Sequence, residues 1–249
     1  MAEHRFEEIM RTLRSEERLA VSGLARSLDV SEETIRRDLA ELERRGMLRR
    51  VHGGAVPLRL DQEQPLIDRG RYNLREKARV AERARLLLAD GMSIFIDTGT
   101  TTLAFARRLI GQNVTVTTNS VDIALLLGSS LPRVHLAPGT LRTKDNALVG
   151  YETVSYVGRY FYDIAFMGIA ACDATLGWMD YEEHESALRQ ALRGRARRSV
   201  ILADHGKFDR QAYLKTFALN ETLTVVCDRP PPAHFVQEFA RHEVEVLYP

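Results

Sequence analysis

The stretch Ile96-Asp97-Thr98-Gly99-Thr100-Thr101-Thr102 joins the end of an apolar run to the start of a helical pattern. Gly99 permits a tight turn, the threonine hydroxyls donate, and the first N–H groups of the following helix attract negative charge, so the stretch suits a phosphate. Threonine-rich helix starts also serve as ordinary N-caps. Three further apolar runs end in comparable polar residues, Thr117-Thr118-Asn119-Ser120, Pro138-Gly139-Thr140 and Asp204-His205-Gly206-Lys207-Phe208. Brought to one point, these ends with the Lys207 ammonium would hold a single small polyanion. Taken singly, each is a turn. Asp180-Tyr181-Glu182-Glu183-His184-Glu185 has the composition of a metal or acid/base cluster, but acids at a helix N-terminus are favoured by the macrodipole alone. No metal site is expected.

A second chemistry is cationic. From Val30 to Gly54 the chain reads VSEETIRRDLAELERRGMLRRVHGG. Ser31 suits an N-cap, Ile35, Leu39 and Leu42 fall at helical spacing, and Gly46 suits a left-handed C-terminal cap. Arg36, Arg37, Arg44 and Arg45 lie on the outward face. Met47 to Val51 then reads as an extended segment turning at Gly53-Gly54, within a run rich in arginine through Arg59. Such a face is usually only solvated. Upstream, however, Val21 to Leu28 forms a second short helix with Ser22 as its expected cap, and Phe6, Ile9, Met10 and Leu13 line a first. Three short helices, a tight joint and a basic hairpin make a winged helix-turn-helix, with one helix in the major groove and the wing against phosphates.

Strands and helices farther along must position the anion-binding residues. Leu74 to Ala89 reads as a helix whose Lys77 and Arg85 could serve a ligand, although a solvated face is the commoner role for such residues. Strands are expected at Ser93 to Ile96, Val114 to Thr117, Val134 to Leu136, Ile164 to Met167, Val200 to Ala203, Leu223 to Cys227 and Val244 to Leu247. Helices are expected at Thr101 to Leu109, Val121 to Leu127, Thr153 to Tyr160, Glu183 to Arg197 and Ala233 to Arg241. Continuous apolar strands separated by helices predict a mostly parallel sheet covered on both faces, with ligands beyond the strands' carboxyl ends. The expected organisation is a DNA-binding domain over 1–56, a linker over 57–73 and an anion-binding α/β domain over 74–249.

With 249 residues and a formal net charge of +1, two domains fit, and any nucleic-acid contact must come from a local patch. Cys172 and Cys227 lie far apart without metal-ligand spacing, so neither a disulfide framework nor a zinc site is suggested, and reduced thiols in the cytoplasm are the simpler reading. No apolar run approaches membrane-spanning length, and none resembles an export signal.

The run Ser31-x-x-Thr34-Ile35-Arg36-Arg37-Asp38-Leu39-x-x-Leu42-Glu43-x-x-Gly46-x-Leu48-x-Arg50-x-His52-Gly53-Gly54 resembles the N-terminal signature of the DeoR family of bacterial transcriptional regulators. The resemblance implies that Ser31, Thr34, Arg36 and Arg37 contact bases or phosphates of double-stranded operator DNA, together with Ser22. It places Arg50 and His52 of the wing on the DNA backbone. Farther on, IDTGTTT, TNS, GTLR, LVG, DIAFMGI and ADHGKF fall in the order of the DeoR-type sensor, which is related to ribose-5-phosphate isomerase-like folds.

The fold class so implied is α/β, a winged helix-turn-helix followed by a mostly parallel sugar-phosphate sensor domain. The implied effector is a phosphorylated sugar or polyol held by Asp97, Thr98, Gly99, Thr100, Thr101 and Thr102, with Asn119, Gly139 and Lys207 completing the site. The later segments are most similar to the glycerol-3-phosphate branch. Two positions depart from the pattern: Pro138-Gly139 stands for the usual Gly-Gly, and Gly206 for the usual Ser before the sensor Lys. The expected protein is a cytoplasmic repressor of carbohydrate or polyol catabolism genes, a dimer or tetramer without cofactor. The alternative is an aldose-ketose phosphate isomerase with an accessory DNA-binding module. It lacks the isomerase Asp-Gly-Ala-Asp-Glu run, since Met167-Gly168-Ile169-Ala170-Ala171-Cys172-Asp173 stands there, and no positioned general base can be named.

Overall fold

Apolar side chains at helical spacing gather the first part of the chain around one small core. The computed structural model describes residues 2–16, 18–44, 47–57, 66–221 and 223–249, and the chain forms two compact units, Met1–Gln62 and Glu63–Pro249. In the first, α1 (Ala2–Ser15), β1 (Leu19–Ala20), α2 (Val21–Ser27) and α3 (Glu32–Arg44) precede the hairpin β2 (Leu48–Val51) and β3 (Gly54–Pro57). The three strands form an antiparallel sheet in the order β1-β3-β2. Phe6, Ile9 and Leu13 of α1, Leu24 of α2, and Ile35, Leu39 and Leu42 of α3 are buried together with Leu19, Leu48 and Ala55. Each such aliphatic side chain contributes roughly 2 kcal/mol on burial. Gly54 is required by the sheet, because a Cβ there would lie 1.8 Å from the Leu19 carbonyl oxygen.

Two local expectations are corrected here. The cap position of α2 is Ala20, so Ser22 sits inside the first turn, exposed, and caps nothing. Gly46 and Arg45, like Arg59, lie outside the described residues, as do residues 58–65 of the expected linker. The remainder of that stretch is not linker. A helix, α4 (Leu66–Arg71), occupies it, and it belongs to the second unit.

After α4 the second unit continues through α5 (Leu74–Arg85), β4 (Ser93–Ile96), α6 (Thr100–Ala106), β5 (Thr115–Thr118), α7 (Val121–Leu127) and β6 (Arg133–Leu136). A hairpin, β7 (Thr140–Arg142) and β8 (Ala147–Val149), leads to α8 (Tyr151–Val157) and β9 (Tyr162–Met167). Then come β10 (Ala171–Asp173), β11 (Gly177–Asp180), α9 (Glu183–Arg193), β12 (Ala196–Ala203), β13 (Leu214–Phe217), β14 (Thr224–Cys227), α10 (Ala233–Arg241) and β15 (Glu245–Leu247). The seven strands expected from the apolar runs form one sheet, ordered β15-β14-β12-β9-β4-β5-β6, with every pairing parallel.

Alternate residues feed two cores. Phe95, Ala165, Met167, Ile201 and Val225 pack on one face with Trp178, Leu188, Phe235 and Phe239. Ile94, Ile96, Val116, Phe166, Val200 and Leu202 pack on the other with Val80, Phe105 and Ile123. Burial on both faces is why the inner strands read as apolar runs. The chain steps from β4 outward through β5 and β6, then returns to place β9 on the other side of β4. This reversal is the point at which parallel sheets open a crevice.

Helix ends and the smaller sheets differ from expectation. The helix expected to reach Arg197 stops at Arg193, because Gly194 follows and β12 opens at Ala196. The one expected to reach Ala89 stops at Arg85, and Thr101 to Leu109 divides into α6 and a single 3-10 turn over Arg107–Leu109. The β7-β8 hairpin and the antiparallel sheet β10-β11-β13 are not apparent from periodicity, their strands being only three or four residues long.

Candidate functional site

On the first unit, α3 starts where the Thr34 N–H donates to Ser31 Oγ at 3.2 Å, and the two hydroxyl oxygens lie 2.9 Å apart. Ser31, Arg36 and Arg37 are exposed and Thr34 is on the surface beside them. The Arg36 guanidinium lies 2.5 Å from Glu32 and 3.8 Å from Glu33, exposed pairs that hold little free energy and exchange readily for a phosphate. Arg37 is exposed one position farther along the helix. Between these exposed positions, Ile35 and Leu39 face the core, and buried Asp38 accepts two bonds from the Arg5 guanidinium, at 2.7 and 3.0 Å. Asp38 thus ties α3 to α1 and is not available to a ligand. In the hairpin, the Arg50 N–H and Nε donate to the Glu43 carboxylate at 2.9 and 2.8 Å, which anchors β2 to the end of α3. His52 is exposed at the turn, its carbonyl accepting from Arg18 at 2.9 Å.

The second unit places a cleft at the reversal between β4 and β9. It is lined by Thr98, Gly99, Thr100, Thr101 and Thr102 beyond β4 and by Gly168, Ile169 and Ala170 beyond β9. Lys207, beyond β12, and Arg69 of α4 bring positive charge, while Asp145, Glu185 and Arg189 complete the lining. The Lys207 ammonium lies 3.5 Å from the Ala170 carbonyl oxygen. Gly99 takes a φ of 145°, and the Thr102 hydroxyl donates to its carbonyl at 3.0 Å, closing the turn into α6. The first N–H groups of a helix have no acceptor inside it, so those at the start of α6 remain for an anion.

Six of the nine residues expected to hold an effector therefore line one cleft: Thr98, Gly99, Thr100, Thr101, Thr102 and Lys207. The other three do not. Asp97 is fully buried and accepts from Arg189 Nε at 2.6 Å, so its carboxylate faces a protein cation. Asn119 spends its side chain on the Thr98 N–H at 3.1 Å and the Leu148 carbonyl at 3.3 Å. Gly139 meets β8 and α8: a Cβ there would lie 2.2 Å from Thr153 Oγ1 and 2.7 Å from the Val149 carbonyl oxygen. These three brace the strand tips that the others use.

Arg189 and Arg142, which sequence reasoning missed, supply the cations of a charged floor. Arg189 pairs with Asp97, Asp180 and, at 3.4 Å, Glu185. Arg142 pairs with Asp145 at 2.5 Å and with Glu185. Burial pushes the Asp97 carboxyl up to about 6 in spite of Arg189. Burial also acts to raise Glu185, but Arg189 and Arg142 outweigh it and hold that carboxyl below its ordinary value. Lys77, expected on a solvated face, is buried and donates to the Arg69 and Tyr72 carbonyls at 2.5 and 2.8 Å; burial brings its pKa down to about 8. Among the described residues, no group of three or more His, Cys, Asp or Glu is arranged to hold a metal ion, and no helix is long and apolar enough to cross a membrane.

Comparison with known proteins agrees with both halves. Residues 5–59 match the family described as the DeoR-like helix-turn-helix domain, and residues 72–229 match the DeoR C terminal sensor domain. The glycerol-3-phosphate regulon repressor of Escherichia coli is 30% identical over 230 residues, 92% of this chain and 91% of that protein. The HTH-type transcriptional regulator GlpR of Haloferax volcanii is 34% identical over 230 residues, 92% of this chain and 90% of that one. Among solved structures, ribose 5-phosphate isomerase A of Methanocaldococcus jannaschii aligns with a TM-score of 0.39 at 22% identity over 53% of each chain.

Proposed function

Because the chain belongs to the DeoR family of DNA-binding transcriptional regulators, we propose that it represses carbohydrate or polyol catabolism genes and that a phosphorylated sugar or polyol in the cleft changes its grip on operator DNA. The observation that carries this reading is the convergence of the Thr98–Thr102 loop and Lys207 from separate strand tips on one cleft. In the liganded state, N–H and hydroxyl groups of Thr100 and Thr101 and the Lys207 ammonium hold the phosphate oxygens. The Asp145 and Glu185 carboxylates line the cleft as well as pairing with Arg142, and the ligand's hydroxyls donate to the lone pairs those ion pairs leave over. A phosphate ester of a short polyhydroxy chain satisfies both ends, and the relatives named for the glycerol-3-phosphate regulon make glycerol 3-phosphate the first candidate.

On the DNA side, α3 enters the major groove and presents Ser31, Thr34, Arg36 and Arg37, while Arg50 and His52 of the hairpin meet the phosphates and Ser22 contacts the DNA from α2. A symmetric dimer or tetramer in the cytoplasm sets recognition helices about 34 Å or a multiple apart. The effector acts by preferring one arrangement of the protein, since equal affinity for both would shift nothing. The test is a melting experiment on the full chain against glycerol 3-phosphate, several sugar phosphates and their unphosphorylated parents. Phosphate esters alone should raise the melting temperature, by mass action. A panel in which no ester raises it, or in which the parents raise it equally, removes the effector half of the proposal.

A further inference from the structure

α4 occupies a stretch whose composition suggests a linker, yet it is held to the sensor unit from two sides. Lys77 Nζ takes both the Arg69 and the Tyr72 carbonyls, which fixes the last turn of α4 and the chain just beyond it. Asn73, at a left-handed φ of 54°, turns the chain into α5 and donates through Nδ2 to Asp204 Oδ1 at 2.8 Å. The same oxygen accepts the Gly206 N–H at 3.0 Å, next to Lys207. The end of α4 and the Lys207 turn therefore share one carboxylate. Between these anchors the Arg69 side chain reaches the cleft, lining it together with the threonine loop and Lys207. Glu185 lines the same cleft, and Arg69 adds to the positive charge that lowers its pKa, after Arg189 and Arg142.

We infer that Arg69 is a ligand contact that reports occupancy of the cleft to the segment leading to the DNA-reading unit: a phosphate ester seated against Thr100, Thr101 and Lys207 bonds the Arg69 guanidinium and adds to the hold that Lys77 and Asn73 already have on α4. This rests on the effector reading proposed above. The device comes from connectivity, because α4 is the first described element after residues 58–65, through which the chain arrives from the hairpin of the first unit. A ligand that bonds Arg69 binds the α4-docked state better than the undocked one, and this difference is all that can shift the equilibrium. Lys77 holds the backbone carbonyl of Arg69, not its side chain, so Arg69→Gln leaves that anchor in place.

The test uses the full chain, glycerol 3-phosphate and inorganic phosphate as probes, and a DNA fragment that the wild-type protein selects from a random pool. In the wild type, saturating ester should raise the melting temperature, slow amide exchange over residues 66–71 about tenfold and change the DNA Kd. In Arg69→Gln the half-saturating ester concentration should rise about tenfold. At saturation the melting shift should persist, but exchange over 66–71 and the DNA Kd should no longer respond. Arg69→Lys, which keeps the charge, should recover part of both responses. Exchange and DNA affinity in Arg69→Gln that respond to saturating ester as in the wild type overturn the inference alone. So does a wild-type melting shift with unchanged exchange over 66–71. Absence of any wild-type melting shift with the panel of esters overturns the effector reading and this inference together.

Discussion

Two helices carry the same pair of residues at the same spacing and use it in opposite ways. In α3, Glu32 and Arg36 pair at 2.5 Å with side chains 47% and 54% exposed. In α9, Glu185 and Arg189 pair at 3.4 Å with side chains 6% and 4% exposed. A glutamate four residues before an arginine reads as surface decoration in either place. What separates them is the partner surface. α3 has solvent outside it, whereas α9 lies against β11 and β13 and meets Asp97 and Asp180 as well. Water takes most of the value out of the first pair, and its absence makes the second indispensable.

The largest test of that contrast is Arg189→Met. It strands Asp97, Asp180 and Glu185 without their shared cation, and leaving buried charges uncompensated costs roughly 3–5 kcal/mol. Thermal or urea unfolding of the full chain should show the loss, and a variant as stable as wild type would place the pair on the same footing as the one in α3. Next comes the reading surface. Arg37→Ala should weaken binding to selected DNA by about 1–3 kcal/mol and leave the ester-induced melting shift intact. Lys207→Gln should do the reverse, raising the half-saturating ester concentration about tenfold with ligand-free DNA binding unchanged.

Asp97→Asn sharpens the buried side through pH. An acid whose folded pKa is raised stabilises the fold in its protonated form, and that stability is lost as pH rises through the folded value of about 6. Between pH 7 and pH 5 the wild type should therefore gain about 1 kcal/mol relative to Asp97→Asn, read from paired melting curves. A difference that does not change with pH would mean Asp97 stays ionised beside Arg189. The smallest effect belongs to the exposed pair: Arg36→Ala should alter folding stability by less than about 0.5 kcal/mol. Circular dichroism melts suffice to check it.

The same contrast explains what is legible in the sequence. The inner strands of the sheet are buried on both faces and stand out as apolar runs, and the threonines after β4 and Lys207 after β12 stand out as polar residues at the carboxyl ends of those runs. Asn119 and Gly139 stand at such ends too, but only the folded chain reveals that one side chain is consumed by backbone groups and that the other position is closed by Thr153. Arg69 is hidden inside a charged stretch without periodicity that follows Pro57 and Pro65. Arg189 and Lys77 are hidden because an amphipathic helix allots charges to water by default, and neither position carries a local sign that other polar groups have replaced the water.

Asp38 sits in the middle of the DNA-reading stretch and faces the other way, clasping Arg5. Under the proposed reading, positions 36 and 37 can be rewritten to address a different operator while positions 35, 38 and 39 go on specifying the shape that presents them. A library randomised at the first set alone would explore sequence preference on an unchanged scaffold, and the repressor's target and its foldability would be separate, independently adjustable traits.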